Sequence, residues 1–214
     1  MPYDTIIVDF DGTISDSRRD IAGAQLWVLE QIGVPGYREE DLYPLIGMPL
    51  VETFRRLLPS TMHDRLEEAS ELYAGYYPPR SLVTTTLFPG VRGTLEQLRA
   101  LGKKVAVAST KRGPGIRRAT DHFGITPLFD RLQGSDGIPF KPDPAIIHLI
   151  LDAEGWNPER TIMVGDSAMD VLAGKNAGIA TCGVTYGALS GDEMQKSGPD
   201  FIIHEFSALI PLVS

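Results

Sequence analysis

The sequence predicts an α/β protein, a parallel sheet covered by helices on both faces, interrupted after its first strand by a module built of helices alone. Apolar, β-branched runs recur along the 214 residues: IIV at 6–8, KVAVAS at 104–109, TIMVG at 161–165 and IATCGV at 179–184, with FDRLQ and DFII as weaker members. Runs of this kind suit strands buried on both faces. Segments with apolar residues three and four positions apart separate them, and that alternation implies a parallel sheet. The interval from about Ser15 to Thr85 contains helical pieces and no convincing strand.

Taken in order, TIIV leads into DFDGT, where Gly12 permits a sharp exit from the sheet. The first helical piece, DSRRDIAGAQLWVLEQIG, places Ile21, Ala24, Val28 and Ile32 on one face. LVETFRRLLP and STMHDRLEEASELYAGYY follow, and the three are expected to pack as a bundle. Pro89 and Gly90 in LFPGV mark the return to the sheet. Val91, Leu95, Leu98 and Leu101 form a helical stripe ahead of Gly102. Ile146, Ile147, Ile150 and Leu151 form another in PAIIHLILDAEG, with His148 expected to be packed among them. The expected domains are residues 1–15 with 85–214 for the sheet and 16–84 for the helical insertion. A chain of this length has room for one ordinary domain plus such an insertion.

Composition limits the function classes. Hydrophobic residues make up 43% and charged ones 22%, a globular balance. A net charge of −8 argues against non-specific nucleic-acid binding and against anionic membrane surfaces. Cys182 is the single cysteine and lies in an apolar run, which suits a buried thiol in a reducing compartment. No apolar run approaches the roughly 18 residues of a spanning helix. The expectation is a cytoplasmic protein, monomer or homodimer, with neither nucleic acid nor membrane as partner.

Chemistry gathers where strands end. Asp9 and Asp11 sit one residue apart after IIV. Two unit charges about 4 Å apart repel by roughly 4 kcal/mol at the effective dielectric near a protein surface, and a bound cation gives the spacing a reason. An Asp-Gly turn is the plainer alternative. Open α/β sheets bind ligands at the carboxyl ends of their strands. KVAVAS ends on Ser109 with Thr110 next, a hydroxyl pair suited to a phosphate oxygen. TIMVG runs into Asp166, with Ser167 and Asp170 beyond it; Ser167 also suits a helix N-cap and Asp170 a first-turn acid. Lys141 lies in FKPDP just before a helical pattern. Together these groups, acids with a hydroxyl and an ammonium at strand ends, suit phosphoryl transfer. Hard oxygen ligands without a His or Cys cluster favour magnesium.

On DFDGT, VAVAST, the lysine of FKPDP and GDSAMD, spanning residues 9–170, the chain resembles the haloacid dehalogenase-like superfamily and, within it, the phosphoglycolate phosphatases. The resemblance implies a Rossmann-like, doubly wound parallel core with an inserted helical-bundle cap that closes over the site and reads the substrate. It implies a magnesium-dependent phosphatase acting on a small phosphorylated metabolite. Asp9 would be the nucleophile that forms an aspartyl phosphate, and Asp11 the acid and base. Ser109 would bind the transferring phosphoryl group, and Lys141 would neutralise nucleophile and phosphate. Magnesium would be held by Asp9, the backbone carbonyl of Asp11 and Asp166, with Asp170 in support. Gly12, Thr13, Ser109, Thr110 and Lys141 make up the expected substrate-binding set. Asp11 points to phosphate esters or anhydrides, because relatives that act as dehalogenases or phosphonate hydrolases carry no acid at the matching position. LIGMPLVETF resembles the cap's substrate-specificity loop, while Arg18, Arg19, Arg55 and Arg56 suit an amphipathic helix surface as well as a substrate anion.

Rival readings meet specific obstacles. GPGIRR at 113–118 has Arg118 where a dinucleotide fingerprint needs glycine, and GKNAG at 174–178 lacks the Ser or Thr of a P-loop. A phosphate-accepting signalling receiver places its acidic pair and its acceptor on different strands, whereas Asp9 and Asp11 share one strand end. A sugar-phosphate mutase of the same superfamily is the nearest enzymatic alternative.

Overall fold

The computed structural model describes residues 3–214. The chain divides into two compact units, one made of the residues up to Asp16 with Leu87–Ser214, the other of Ser17–Thr86. Along the chain the strands are β1 (Thr5–Val8), β2 (Ser15–Asp16), β3 (Thr86–Leu87), β4 (Lys104–Ala108), β5 (Arg131–Gln133), β6 (Thr161–Gly165), β7 (Ala180–Val184) and β8 (Phe201–Ile203). The α-helices are α1 (Arg18–Ile32), α2 (Glu39–Leu42), α3 (Leu50–Leu57), α4 (Leu66–Arg80), α5 (Val91–Ala100), α6 (Gly113–His122), α7 (Ala145–Glu154), α8 (Ala168–Asn176), α9 (Gly191–Ser197) and α10 (Leu209–Val213).

Six strands form one parallel sheet in the order β5-β4-β1-β6-β7-β8, and β2 and β3 form a separate two-stranded one. The chain starts at β1, builds outward through β4 and β5, and returns to β6 on the opposite side. That is the doubly wound α/β arrangement the sequence predicts, with the strand order reversing beside β1, where such sheets bind ligands. Because all six strands run the same way, Asp9, Ser109 and Asp166 follow the carboxyl ends of three adjacent strands.

The sheet is buried because its strands are apolar on both faces. In register, Ile7 lies beside Ala106 and Met163. These three share a cluster with Ala108, with Ile146, Ile147, Ile150 and Leu151 of α7, and with Ala173 of α8. Burying each large aliphatic side chain contributes about 1.5–3 kcal/mol. Two expected core positions are exposed. Leu101 is the residue just past α5, where the stripe has run off the helix, and it is 48% exposed. His148 is exposed because Ile146, Ile147, Ile150 and Leu151 take the buried side of α7 and leave position 148 on the opposite side.

In the helical unit, α4 packs against both α1 and α3. Ala22, Val28 and Leu29 of α1 join Leu42, Phe54, Leu57 and Leu66 in its core. Gly33 ends α1 in a left-handed conformation, φ +84°. Trp27 stacks on Tyr76 with ring centroids 4.0 Å apart, and Tyr73 stacks on Tyr77 at 5.0 Å. Arg55 and Arg56 both approach Glu52, at 3.4 and 3.5 Å, as exposed pairs of the kind that contribute little stability. Asp20, in the first turn of α1, accepts from the backbone N–H groups of Thr84 and Thr85, each at 3.0 Å, and from both hydroxyls, at 2.7 and 2.6 Å. Partial burial raises its carboxyl pKa, but these bonds outweigh it and hold the pKa below the ordinary value. Among the described residues, no helix is long and apolar enough to cross a membrane.

Candidate active site

The site begins at the end of β1. The Asp9 N–H donates to the Val164 carbonyl at 2.9 Å, which continues the pairing with β6 for one more residue. Phe10 is buried, and its carbonyl accepts from the N–H groups of Ile14 and Ser15 at 3.0 and 2.9 Å, folding the chain into a tight turn. Gly12 occupies that turn at φ +88°, and a Cβ there would lie 2.0 Å from Asp166 Oδ2. Both backbone conformation and space therefore call for glycine.

Lys141 joins the strand ends. Its buried Nζ donates to Asp9 Oδ1 at 2.8 Å, to Asp170 Oδ1 at 2.5 Å and to the Ala108 carbonyl at 3.0 Å, just ahead of Ser109. Burial alone lowers an ammonium pKa, but the Asp170 and Asp9 charges outweigh it and hold Lys141 above its ordinary value, fully charged. Asp170 uses its other oxygen to accept from the Ser167 N–H at 3.1 Å and the Ser167 hydroxyl at 2.6 Å, in a capping box that starts α8. It is both a helix-capping acid and the partner that fixes Lys141.

Asp166 is buried too. Its Oδ1 accepts from the Thr13 hydroxyl at 3.2 Å and its Oδ2 from the Ala188 N–H at 2.7 Å. Burial, then the Asp170 charge, push its pKa up to about 7, against the Ala188 bond. Burial likewise raises Asp9; Lys141 opposes the rise while Asp170 and Asp166 reinforce it. Carboxylate oxygens of Asp9, Asp166 and Asp170 lie within 4.8 Å of one another, enough to hold a metal ion. Fully ionised, three carboxylates against one ammonium would carry two negative charges in excess in a buried place, and the raised Asp9 and Asp166 carboxyls register that repulsion. A hard divalent cation fits that excess and that donor set.

The remaining expected residues divide. Asp11 pairs with Lys111 at 3.1 Å, both side chains largely buried at 9% and 14% exposure. Ser109 is fully buried and its Oγ accepts from the Lys111 N–H at 3.1 Å; the Thr110 carbonyl accepts from the Ser135 hydroxyl at 2.6 Å. Thr13 is fully buried and its hydroxyl donates to Asp166. Lys111 and the segment Tyr186–Gly187–Ala188 were not among the expected residues. Both follow the ends of predicted strands, KVAVAS and IATCGV, and reading each strand end two to four residues further would have reached them.

The model of the family described as haloacid dehalogenase-like hydrolase matches residues 6–184. The chain belongs to that family. A phosphoglycolate phosphatase from Vibrio parahaemolyticus serotype O3:K6 is 30% identical over 98% of this chain and 95% of its own length. The pyrophosphatase PpaX of Halalkalibacterium halodurans is also 30% identical, over 100% of this chain and 98% of its own. A solved structure named as a haloacid dehalogenase-like hydrolase, from Bacteroides fragilis, superposes with a TM-score of 0.92 at 31% identity, covering 97% of this chain and 99% of that one.

Proposed function

We propose that this haloacid dehalogenase-like chain is a magnesium-dependent phosphatase that hydrolyses a small phosphorylated metabolite in the cytoplasm through a phosphoryl group carried on Asp9. The observation that carries the reading is the buried set of Asp9, Lys141, Asp166 and Asp170 beside Asp11. It supplies a nucleophile in Asp9 and a fixed counter-charge in Lys141, 2.8 Å apart, with Asp11 two residues on as the proton-handling acid. The similarity to phosphoglycolate phosphatase and PpaX supports the substrate class.

Asp9 and Asp166 would hold the cation, with Asp170 behind them; bound there, magnesium supplies positive charge against the phosphate oxygens. Lys141 points at Asp9 Oδ1 and screens the approach of the carboxylate to a phosphate dianion. In the first step an Asp9 oxygen bonds to phosphorus, the ester bond breaks, and the leaving oxygen takes a proton from Asp11. In the second, Asp11 takes a proton from water, the water oxygen bonds to phosphorus, and phosphate leaves with Asp9 restored. The Ser109 hydroxyl at the end of β4 donates to a phosphoryl oxygen. Substrate selection is assigned to the helical unit: replacing residues 16–84 by a short linker leaves slow, indiscriminate hydrolysis, and retained preference would place selection in the sheet unit.

The deciding experiment is phosphate release from phosphoglycolate, pyrophosphate, a nucleoside monophosphate and a sugar phosphate, with and without magnesium, with Asp9→Asn as control. Magnesium-dependent release that vanishes in the variant is expected. Unchanged release from Asp9→Asn would sink the covalent reading.

A further inference from the structure

The turn after β7 bears on the cation centre in a way the proposed reaction does not use. The Tyr186 hydroxyl donates to the Thr13 carbonyl at 3.0 Å, across 173 residues of sequence. Thr13 in turn donates its hydroxyl to Asp166 Oδ1. Two residues after Tyr186, the Ala188 N–H donates to Asp166 Oδ2, and the Leu189 N–H donates to the Asp166 carbonyl at 3.3 Å. Between them, Gly187 presses so close that a Cβ would lie 2.3 Å from the Gly12 carbonyl oxygen and 2.4 Å from Asp166 Cβ. The Tyr186 ring lies against Phe88, centroids 4.7 Å apart, which seats the phenol independently of its hydroxyl. Each Asp166 oxygen thus has one donor fixing its direction. A carboxylate oxygen has a second lone pair, so these bonds leave acceptor capacity for a cation.

We propose that Tyr186, Gly187 and Ala188 form a clamp that aims Asp166, with Tyr186 as a positioning residue that sets the affinity of the site for its divalent cation. The inference rests on the reading of Asp166 as a cation ligand. The groups that orient a metal ligand typically account for about 10- to 100-fold in metal affinity. Removing the phenol hydroxyl leaves the Thr13 carbonyl without that donor and frees the Gly12–Thr13 turn, while the ring keeps its place on Phe88.

The test is Tyr186→Phe, titrated with magnesium alone and followed by the rise in melting temperature, without substrate. The expected result is a half-saturating magnesium concentration about tenfold above that of the unaltered protein, with turnover at saturating magnesium within about twofold. A purely structural tyrosine would lower the metal-free melting temperature and leave the half-saturating concentration unchanged, and that result overturns the proposal. Thr13→Val supplies a second arm. Because the Tyr186 hydroxyl reaches Asp166 Oδ1 only through Thr13, the double variant should weaken magnesium binding by less than the product of the single effects. Fully multiplicative effects would also overturn the clamp. If the unaltered protein shows no magnesium-dependent shift, the cation reading falls and the clamp with it; a shift left intact in Tyr186→Phe removes the clamp alone.

Discussion

Replacing Lys141 with methionine keeps a straight buried side chain and removes the ammonium that donates to Asp9, Asp170 and the Ala108 carbonyl. Breaking a buried ion pair from one side costs about 3–5 kcal/mol, because the carboxylates stay behind without their partner. In a chain of this size each kcal/mol lowers the melting temperature by about 2–4 °C, so the expected loss is on the order of 6–20 °C above neutral pH. The loss depends on pH with a definite sign. Burial raises the Asp9 carboxyl, Lys141 opposes that rise, and Asp170 and Asp166 add to it, so removing Lys141 lifts Asp9 further. A carboxyl whose folded pKa exceeds its unfolded value binds more protons when folded, and stability falls as pH rises between the two values. The variant therefore lies closest to the unaltered protein in acid and farthest from it in base. Phosphate release falls about 100- to 1,000-fold, the order lost when one fixed donor to a reacting charge is removed. Thermal melts at about pH 5 and about pH 8, beside phosphate-release rates, measure both effects. Activity within about threefold of the unaltered protein, or a melting deficit equal at the two pH values, would refute the reasoning.

Asp11→Asn should lose about 100-fold or more in turnover, as expected for a general acid and base, and because it also takes the charge from the largely buried Asp11–Lys111 pair it should melt lower, by no more than the roughly 6–20 °C of a one-sided pair loss; a variant that no longer folds would make the residue structural. In metal-free protein, the raised Asp166 pKa of about 7 makes stability fall as pH climbs toward that value, and saturating magnesium should abolish the fall. Paired melts in chelator and in magnesium across the range check that sign. Gly12→Ala should destabilise by about 2 kcal/mol or more, since left-handed backbone alone costs an L-residue about 1–2 kcal/mol and the new methyl meets Asp166. Denaturant unfolding and a magnesium titration read the two consequences separately.

The sheet was legible because its strands are buried on both faces and so appear as unbroken apolar runs: TIMVG coincides with β6, and KVAVAS contains β4. The two-residue strands β2 and β3 leave no such trace. Periodicity also overreached at Leu101 and His148, since spacing identifies a helix without showing where it ends or which way each position points. Asp9, Ser109 and Asp166 were legible as strand ends, and the fold makes those strands neighbours. The bonds that organise them were not, because the partners are distant in sequence: Lys141 reaches back 132 residues to Asp9. Thr13 shows the limit most clearly. It entered the substrate-binding set through the family resemblance, and only the fold shows its hydroxyl donating to Asp166 and its carbonyl accepting from Tyr186.

The central claim is that Asp9 carries the phosphoryl group, and mass analysis of the intact chain and its Asp9 peptide tests it most directly. The Asp11→Asn variant, mixed with magnesium and an aryl phosphate whose leaving oxygen departs without a proton, then quenched in acid, should gain the mass of one phosphoryl group on the peptide containing Asp9, and Asp9→Asn should gain none. A phosphoryl group found on another residue, or turnover in the unaltered protein with no such species in the trapped variant, would contradict the account.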